Sequence, residues 1–443
     1  MESPYVEEHS MGMEFYTTST PGIGGKIKSF PEDFIVEEVL LDGTILEMRP
    51  FGKNEIPDSI SGRGSYVHFT LQKRKLTTFD VANILSRFLK TPHIYISFAG
   101  LKDKQAITVQ RMSIKDLSLS KIRNFHHEDI VIWDLKRERR PIFPGSLYGN
   151  RFTIIIRNIE VNNFSEDDFI IFQKTPLYNF FGIQRFGLTR PSSHIVGRYL
   201  IKRDYFEAVR HFVGGFSPYE QEEIIEFRKN LFDNFEVTEN IISKIPKALN
   251  YEKIVLWHLL KHPEDYLGAI LRLPYRLVKI LVHSYQSYLF NKILSYRIRS
   301  GKSIDHVYPG EFIATPEPSG FGYEEWMLVS EDNIELAQSK IESGEKIIVY
   351  PIPGYSTKMP PGFLRDTILK VLNDEKIKLR DFRNDKIDVL DSPGSLRPLS
   401  FKPQELKIRR FDGELLLKFI LRRGSYATVF LREIMKNHPF NRA

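Results

Sequence analysis

The segment Gly100-Leu101-Lys102-Asp103-Lys104-Gln105-Ala106-Ile107-Thr108-Val109-Gln110 sets one carboxylate between two lysines. It follows an apolar run, Ile94-Tyr95-Ile96-Ser97-Phe98, whose composition predicts a buried strand. Flanking cations favour the ionised form of Asp103. An ionised aspartate at the end of a rigid strand acts as a nucleophile or as a base. Alone, the segment reads more readily as a solvated turn. Its meaning depends on the other motifs in the chain.

A second dense segment is Asn179-Phe180-Phe181-Gly182-Ile183-Gln184-Arg185-Phe186-Gly187. Its glycines allow the backbone to approach a ligand closely. An aromatic there can stack on a flipped base while an amide reads the base edge. The plainer reading is a glycine-bounded loop covering the core. Lys28 and Phe34 form a third candidate, since a lysine can neutralise a catalytic carboxylate. Locally that pair also reads as a surface lysine beside a core phenylalanine. The basic run Lys136-Arg137-Glu138-Arg139-Arg140 suits either RNA phosphates or a solvated edge. His126-His127-Glu128-Asp129 lacks the i, i+4 histidine spacing of a helical zinc motif, so no metal site is expected. There is no P-loop, nucleophile elbow, kinase set or dinucleotide fingerprint.

The elements that must position these residues follow from periodicity. The end of Pro21–Leu40 and the alternating run Tyr66–Leu71 predict strands, as does Phe152–Ile156. Val81, Ile84, Leu85, Phe88 and Leu89 share one face of a helix over Thr77–Leu89, with Thr77 as cap. Helical patterns dominate from Asp204 onward, at Asp204–Phe212, Gln221–Phe232, Val255–Lys261 and Arg276–Arg299. Loops rich in proline and glycine are expected at Thr315–Gly322 and Tyr350–Gly362, and a return linker at Asp391–Ser395. Leu415–Leu421 reads as a strand, followed by a helix, Tyr426–Met435, capped by Ser425. So apolar a late strand is expected to insert into an existing sheet. The expectation is a discontinuous α+β first domain, 1–204 with 397–443, and an inserted domain, 205–396.

The chain's 443 residues suffice for two or three domains, and its net charge of +7 suits, without demonstrating, a phosphate-bearing partner. It has no cysteine, which excludes disulfides, thiolate metal sites and cysteine nucleophiles. The acidic, polar start shows no signal peptide, and no apolar run is long enough for a transmembrane helix. A cytoplasmic setting is the expectation.

Five fragments, taken in order, resemble the TruD family of pseudouridine synthases. They are Lys28-x-x-Pro31-Glu32-Asp33-Phe34; Ser97-Phe98-Ala99-Gly100-x-Lys102-Asp103-Lys104-x-Ala106-x-Thr108-x-Gln110; Gly149-Asn150-x-Phe152; Asn179-x-Phe181-Gly182-x-Gln184-Arg185-Phe186-Gly187; and Gly424-Ser425-Tyr426-Ala427-Thr428 with Arg432-Glu433. One departure is Tyr426, where phenylalanine also occurs in the family. The resemblance implies the pseudouridine synthase fold, a mixed, largely antiparallel sheet flanked by helices, with an inserted α/β domain and an RNA cleft between the two. It implies isomerisation of uridine to pseudouridine, usually at position 13 of tRNA. Neither cofactor nor metal is implied, and no obligate protein partner is evident. Asp103 would be the reacting group, attacking C1′ or C6 or removing the C2′ proton, with Lys28 as its basic partner. Phe34, Phe181 and Tyr426 would border or stack the uracil, and Asn179 would hydrogen-bond it. Lys102, Lys104 and Arg185 would contact RNA or brace the site. A non-catalytic RNA-binding protein on the same fold, or an enzyme for another uridine or RNA, are the alternatives.

Overall fold

Val67, Phe69 and Leu71 alternate with polar residues and are fully buried on one face of a nine-residue strand. That strand belongs to the large sheet on which the protein is built. The structure, a computed structural model, describes residues 1–160, 166–316, 323–411 and 413–442. Its strands in chain order are β1 (Gly24–Lys26), β2 (Phe34–Val39), β3 (Tyr66–Arg74), β4 (Ile96–Phe98), β5 (Ile107–Lys115), β6 (Ile130–Glu138), β7 (Gly149–Ile159), β8 (Leu177–Tyr178), β9 (Phe312–Pro316), β10 (Tyr323–Leu328), β11 (Ile347–Ile352), β12 (Ser395–Pro398), β13 (Ser400–Phe401), β14 (Gln404–Phe411) and β15 (Glu414–Arg422).

The large sheet runs β14-β15-β7-β2-β5-β3-β6, with β1 beside β7 and β4 beside β5. Only β2 and β5 pair in parallel; the other pairs are antiparallel. The late strand β15 pairs with β7 along its whole length, Glu414 opposite Arg157 to Arg422 opposite Gly149. Register divides the sheet into two faces. Val36, Glu38, Thr108, Gln110, Leu71 and Lys73 share the front; Glu37, Val109, Arg111, His68, Thr70 and Gln72 share the back. The helix Thr78–Leu89 covers the front through Val81, Ala82, Leu85 and Leu89. Its cap is reciprocal: the Thr77 hydroxyl accepts from Asp80 N–H, and Asp80 accepts from Thr77 N–H.

After β7 the chain builds a helical unit and a four-stranded sheet, β10-β9-β11-β12, around the long helix Tyr275–Arg299. Its apolar core begins well before residue 205. It takes in Met11, Met13, Phe180, Phe181 and Phe186, and the helix Ser193–Lys202 through Val196, Leu200 and Ile201. The predicted helices from Asp204 onward appear as Tyr205–Gly214, Glu222–Asn234, Asn250–Lys261 and Tyr275–Arg299. No described helix is long and apolar enough to cross a membrane.

Four local expectations differ from the structure. The run at Ile94 is not all strand: His93–Tyr95 forms a helical turn, and Ile94 is 83% exposed. Tyr95 N–H bonds back to Pro92, and pairing with β5 begins only at Ile96. Ser425 does not cap the last helix, because it belongs to the turn leaving β15, where its N–H bonds Arg422; Tyr426 is the cap of Ala427–Met435. Ser395, read as linker, opens β12 against β11, so the return to the large sheet lies further on. Thr315 and Pro316 end β9, Tyr350–Ile352 end β11, and 317–322 lie outside the described residues.

Candidate active site

Asp103 lies in the loop between β4 and β5, where the chain passes from the sheet's edge to its interior. Its Oδ2 accepts from Lys28 Nζ at 2.9 Å. The lysine side chain is 8% exposed and the aspartate side chain 42%. The pair is therefore anchored on the protein side and open on the other. Asp103 Oδ1 has no hydrogen-bond partner among the described residues. Lys28 also rests on the Phe34 ring, 4.5 Å from its centroid, and Phe34 meets Phe152 edge-on. Lys28 has φ of 60°, a left-handed conformation that costs a non-glycine residue energy. The turn that aims this side chain at Asp103 is held from outside, as Ile27 N–H bonds Arg442 C=O.

The two lysines beside Asp103 in sequence are not its ion partners. Lys102 turns inward, to Asn150 Oδ1 at 2.8 Å and Glu38 Oε1 at 2.9 Å. Its N–H donates to Thr78 Oγ1, whose hydroxyl donates to Gln110. Lys102 is thus a brace for the loop. Lys104 is exposed in a depression with Lys75, Asp80 and Arg87. A lysine missed in the sequence takes the place by Asp103: buried Lys73 donates to the backbone carbonyls of Asp103, at 2.8 Å, and Leu76, at 2.6 Å. Burial pushes its pKa down to about 8, against the pull of the Asp103 charge. The signal was present: Lys73 continues the apolar phase of Val67, Phe69 and Leu71.

A second cluster centres on Arg397, also missed. Its guanidinium lies 3.8 Å over the Phe181 ring and 5.5 Å from Tyr426. It donates to Asn179 Oδ1, to Asn179 C=O and to Gly424 C=O. Asn179 is buried, and its Nδ2 donates to Pro398 C=O. One N–H and one lone pair of the amide remain. Phe181 is nearly buried and meets Phe290 edge-on. Arg185 is a brace: its Nε donates to Ser287, and its carbonyl accepts from Ser284, both on the long helix. The motif's glycines serve chain packing. A Cβ on Gly187, at φ of 123°, would lie 2.2 Å from Arg190 C=O, and one on Gly182 would press Val429 at 3.0 Å.

Tyr426 joins the clusters, packing against both the core that holds Phe34 and the core that holds Phe181. Lys28, Phe34, Asp103 and Lys73 thus form one constellation, Asn179, Phe181, Tyr426 and Arg397 the other. Together they supply an ionisable carboxylate with an open oxygen, a buried cation, and aromatic and amide groups. That is equipment for nucleophilic or proton-transfer chemistry on a stacked, hydrogen-bonded ring.

Residues 10–434 match the family described as tRNA pseudouridine synthase D (TruD). A Methanosarcina mazei protein named "Probable tRNA pseudouridine synthase D" is 33% identical over 454 residues, covering 99% of each chain. A Methanococcoides burtonii protein of the same name is 31% identical, covering 98% of each. A crystal structure from Methanosarcina mazei, described as "Putative tRNA pseudouridine synthase D (TruD)", superposes over 100% of both chains with a TM-score of 0.78 and 30% identity. A family match over residues 10–434 and relatives this similar over nearly the whole chain mean that the chain belongs to the tRNA pseudouridine synthase D (TruD) family.

Proposed function

We propose that this protein isomerises uridine to pseudouridine in tRNA, at position 13, with Asp103 as the reacting carboxylate. The observation that carries the residue assignment is the half-exposed Asp103, with one oxygen on a buried ammonium and the other open. Lys28 stabilises the anion and fixes its direction. The reaction breaks the N1–C1′ bond, turns the uracil and forms a C5–C1′ bond. The C5 hydrogen leaves as a proton, and N1 ends protonated. No atom or electron is gained or lost overall. Attack on C1′, attack on C6 and removal of the C2′ proton each need one accessible carboxylate oxygen. Phe34, Phe181 and Tyr426 border the flipped base. The remaining N–H and lone pair of Asn179 read its edge, with Arg397 holding the amide in place. Stacking offsets the few kcal/mol that flipping costs.

In this proposal the RNA lies in a cleft between the unit built on the large sheet and the unit built around the long helix Tyr275–Arg299, whose core starts before residue 205 and whose sheet runs on through β12. The return of β14 and β15 to the large sheet supports that division.

The test is tritium release from tRNA carrying 5-tritiated uridine, with wild type and Asp103→Asn in parallel. The expected outcome is release by wild type and a loss of at least about 10³-fold by a folded, tRNA-binding Asp103→Asn, the scale on which enzymes depend on their reacting groups. Equal release by both would refute the role of Asp103. No release by wild type on any tRNA would refute the reaction.

A further inference from the structure

The back face of the large sheet carries a groove of about 700 Å³ that the proposed chemistry does not use. Its floor is His68 and Arg111; its walls are Lys136–Arg140, the turn Leu40–Asp42, Gly62–Arg63, and Phe143 with Ser146. Six lysines and arginines line it against two carboxylates. Both carboxylates are engaged: Glu138 pairs with Lys136 at 3.0 Å, and Asp42 accepts from Thr44 N–H at 2.9 Å. Arg111 is pinned by Asp134 and Thr70. Arg63, Arg139 and Arg140 are exposed and have no carboxylate within ion-pair distance among the described residues.

The groove is built, since its basic side chains are set on constrained backbone. Residues 61–62 lie along the outer edge of β6, with Arg137 N–H bonding Ser61 C=O. Arg63 sits between Gly62, at φ of 92°, and Gly64, at φ of 131°. A Cβ on either would lie about 2 Å from a β6 carbonyl, 2.2 Å for Gly62 and 2.1 Å for Gly64. Only glycine allows this close approach, which holds Arg63 over the groove. Arg140 is fixed by its carbonyl, 2.8 Å from His68 Nε2. Phe143, 56% exposed, offers an aromatic face at the rim.

We propose that this groove binds the phosphodiester backbone of the substrate RNA, outside the cleft that takes the reacting nucleotide. Unpaired arginines on a concave, constrained surface match a polyanion, and an exposed ring beside them suits a ribose or base. An open groove of this size exceeds what one phosphate needs. Its wall is tied to the candidate active site: Ile142 and Leu147 pack on Ala99, and Gly145 N–H bonds Ala99 C=O at 2.7 Å. Asp103 follows Ala99 by four residues, at most about 14 Å of extended chain. The groove therefore holds the RNA body close to the loop that carries Asp103. The inference rests on RNA being the substrate.

The experiment measures tRNA binding by the full chain at several salt concentrations. It compares wild type, Arg63→Ala/Arg139→Ala/Arg140→Ala, and a control of equal charge loss at the far edge of the sheet, Lys407→Ala/Arg409→Ala/Arg410→Ala. The groove variant is expected to raise Kd about tenfold and to reduce the slope of log K against log salt by about 2 to 3, near 0.7–0.9 per lost phosphate contact. If the triple fails to fold, Arg139→Ala/Arg140→Ala serves, with a slope change of about 1.5. Unchanged affinity and slope would overturn the proposal and leave the groove to an acidic polypeptide. Equal weakening by the control would overturn it as a general charge effect. Because binding is read directly, a wild type that binds tRNA without forming pseudouridine would refute the reaction while leaving this result readable.

Discussion

At the residue scale, the charge on Lys73 gives the sharpest test of how Asp103 is held. The pKa of this buried lysine is pushed down to about 8, while an unfolded lysine stays near 10.4. From about pH 8 the native chain releases a proton that the unfolded chain keeps. The destabilising contribution of this group is thus fully present below pH 8 and is relieved as pH rises towards 10.4. Activity should move the other way, because one of two cations near Asp103 is lost. Pseudouridine formation by wild type is expected to fall above about pH 8. Lys73→Met should be slower below about pH 8, should lack that limb and should approach the wild-type rate above it. Its stability at pH 7 should stay within about 2 kcal/mol of wild type, as lost hydrogen bonds are offset by removal of a buried charge. A wild-type rate that stays flat from pH 7 to 9.5 would sink this role. Asp103, Lys28 and Asn179 were legible because their motifs are local and ordered. Lys73 was legible in principle from its apolar phase. Arg397 was not, because its contact with Asn179 spans 218 residues and exists only after two sheets have packed.

At the element scale, the helix Thr78–Leu89 does more than cover the front of the sheet. Its first residue carries the hydroxyl that accepts from Lys102 N–H, so the helix start sets the Asp103 loop. Thr78→Val keeps the shape and removes the acceptor. The orphaned N–H should cost about 1–3 kcal/mol, visible in urea unfolding. The rate constant should fall about tenfold, since small displacements of reacting groups are costly, and tRNA affinity should stay within about twofold. Loss of stability with an unchanged rate would show that the loop does not depend on this bond. The helix itself was readable from its 3.6-residue pattern and its cap. The strand before Asp103 was misjudged in length because composition does not reveal where pairing with β5 begins: Ile94 has strand propensity and no strand partner.

At the scale of the whole molecule, the first twenty residues tie the two units together. Met11 and Gly12 carbonyls accept from Asn291 and Ser295 of the long helix, and Glu14 pairs with Lys292 and Arg299. On the other side, Glu8 is buried between Arg432 of the last helix and Arg442, at 2.7 and 3.0 Å, with Ser3 also donating to it. Burial alone would push the Glu8 carboxyl up, but the two guanidiniums outweigh it and lower its pKa to about 2. Its folded pKa is depressed, so its contribution is present above the unfolded value near 4.3 and is lost as pH falls from there towards 2. Glu8→Gln removes the anion that Arg432 and Arg442 share, leaving Arg432 only Glu433 at 3.6 Å. It should cost about 3–5 kcal/mol at pH 7, the usual result of breaking a buried pair. The gap to wild type in urea unfolding should then narrow between pH 4.5 and 2, because protonation does to wild type what the substitution has already done. A gap of equal size at pH 7 and pH 2.5 would mean that Glu8 acts through shape rather than charge, and that the termini are not held by this ion pair.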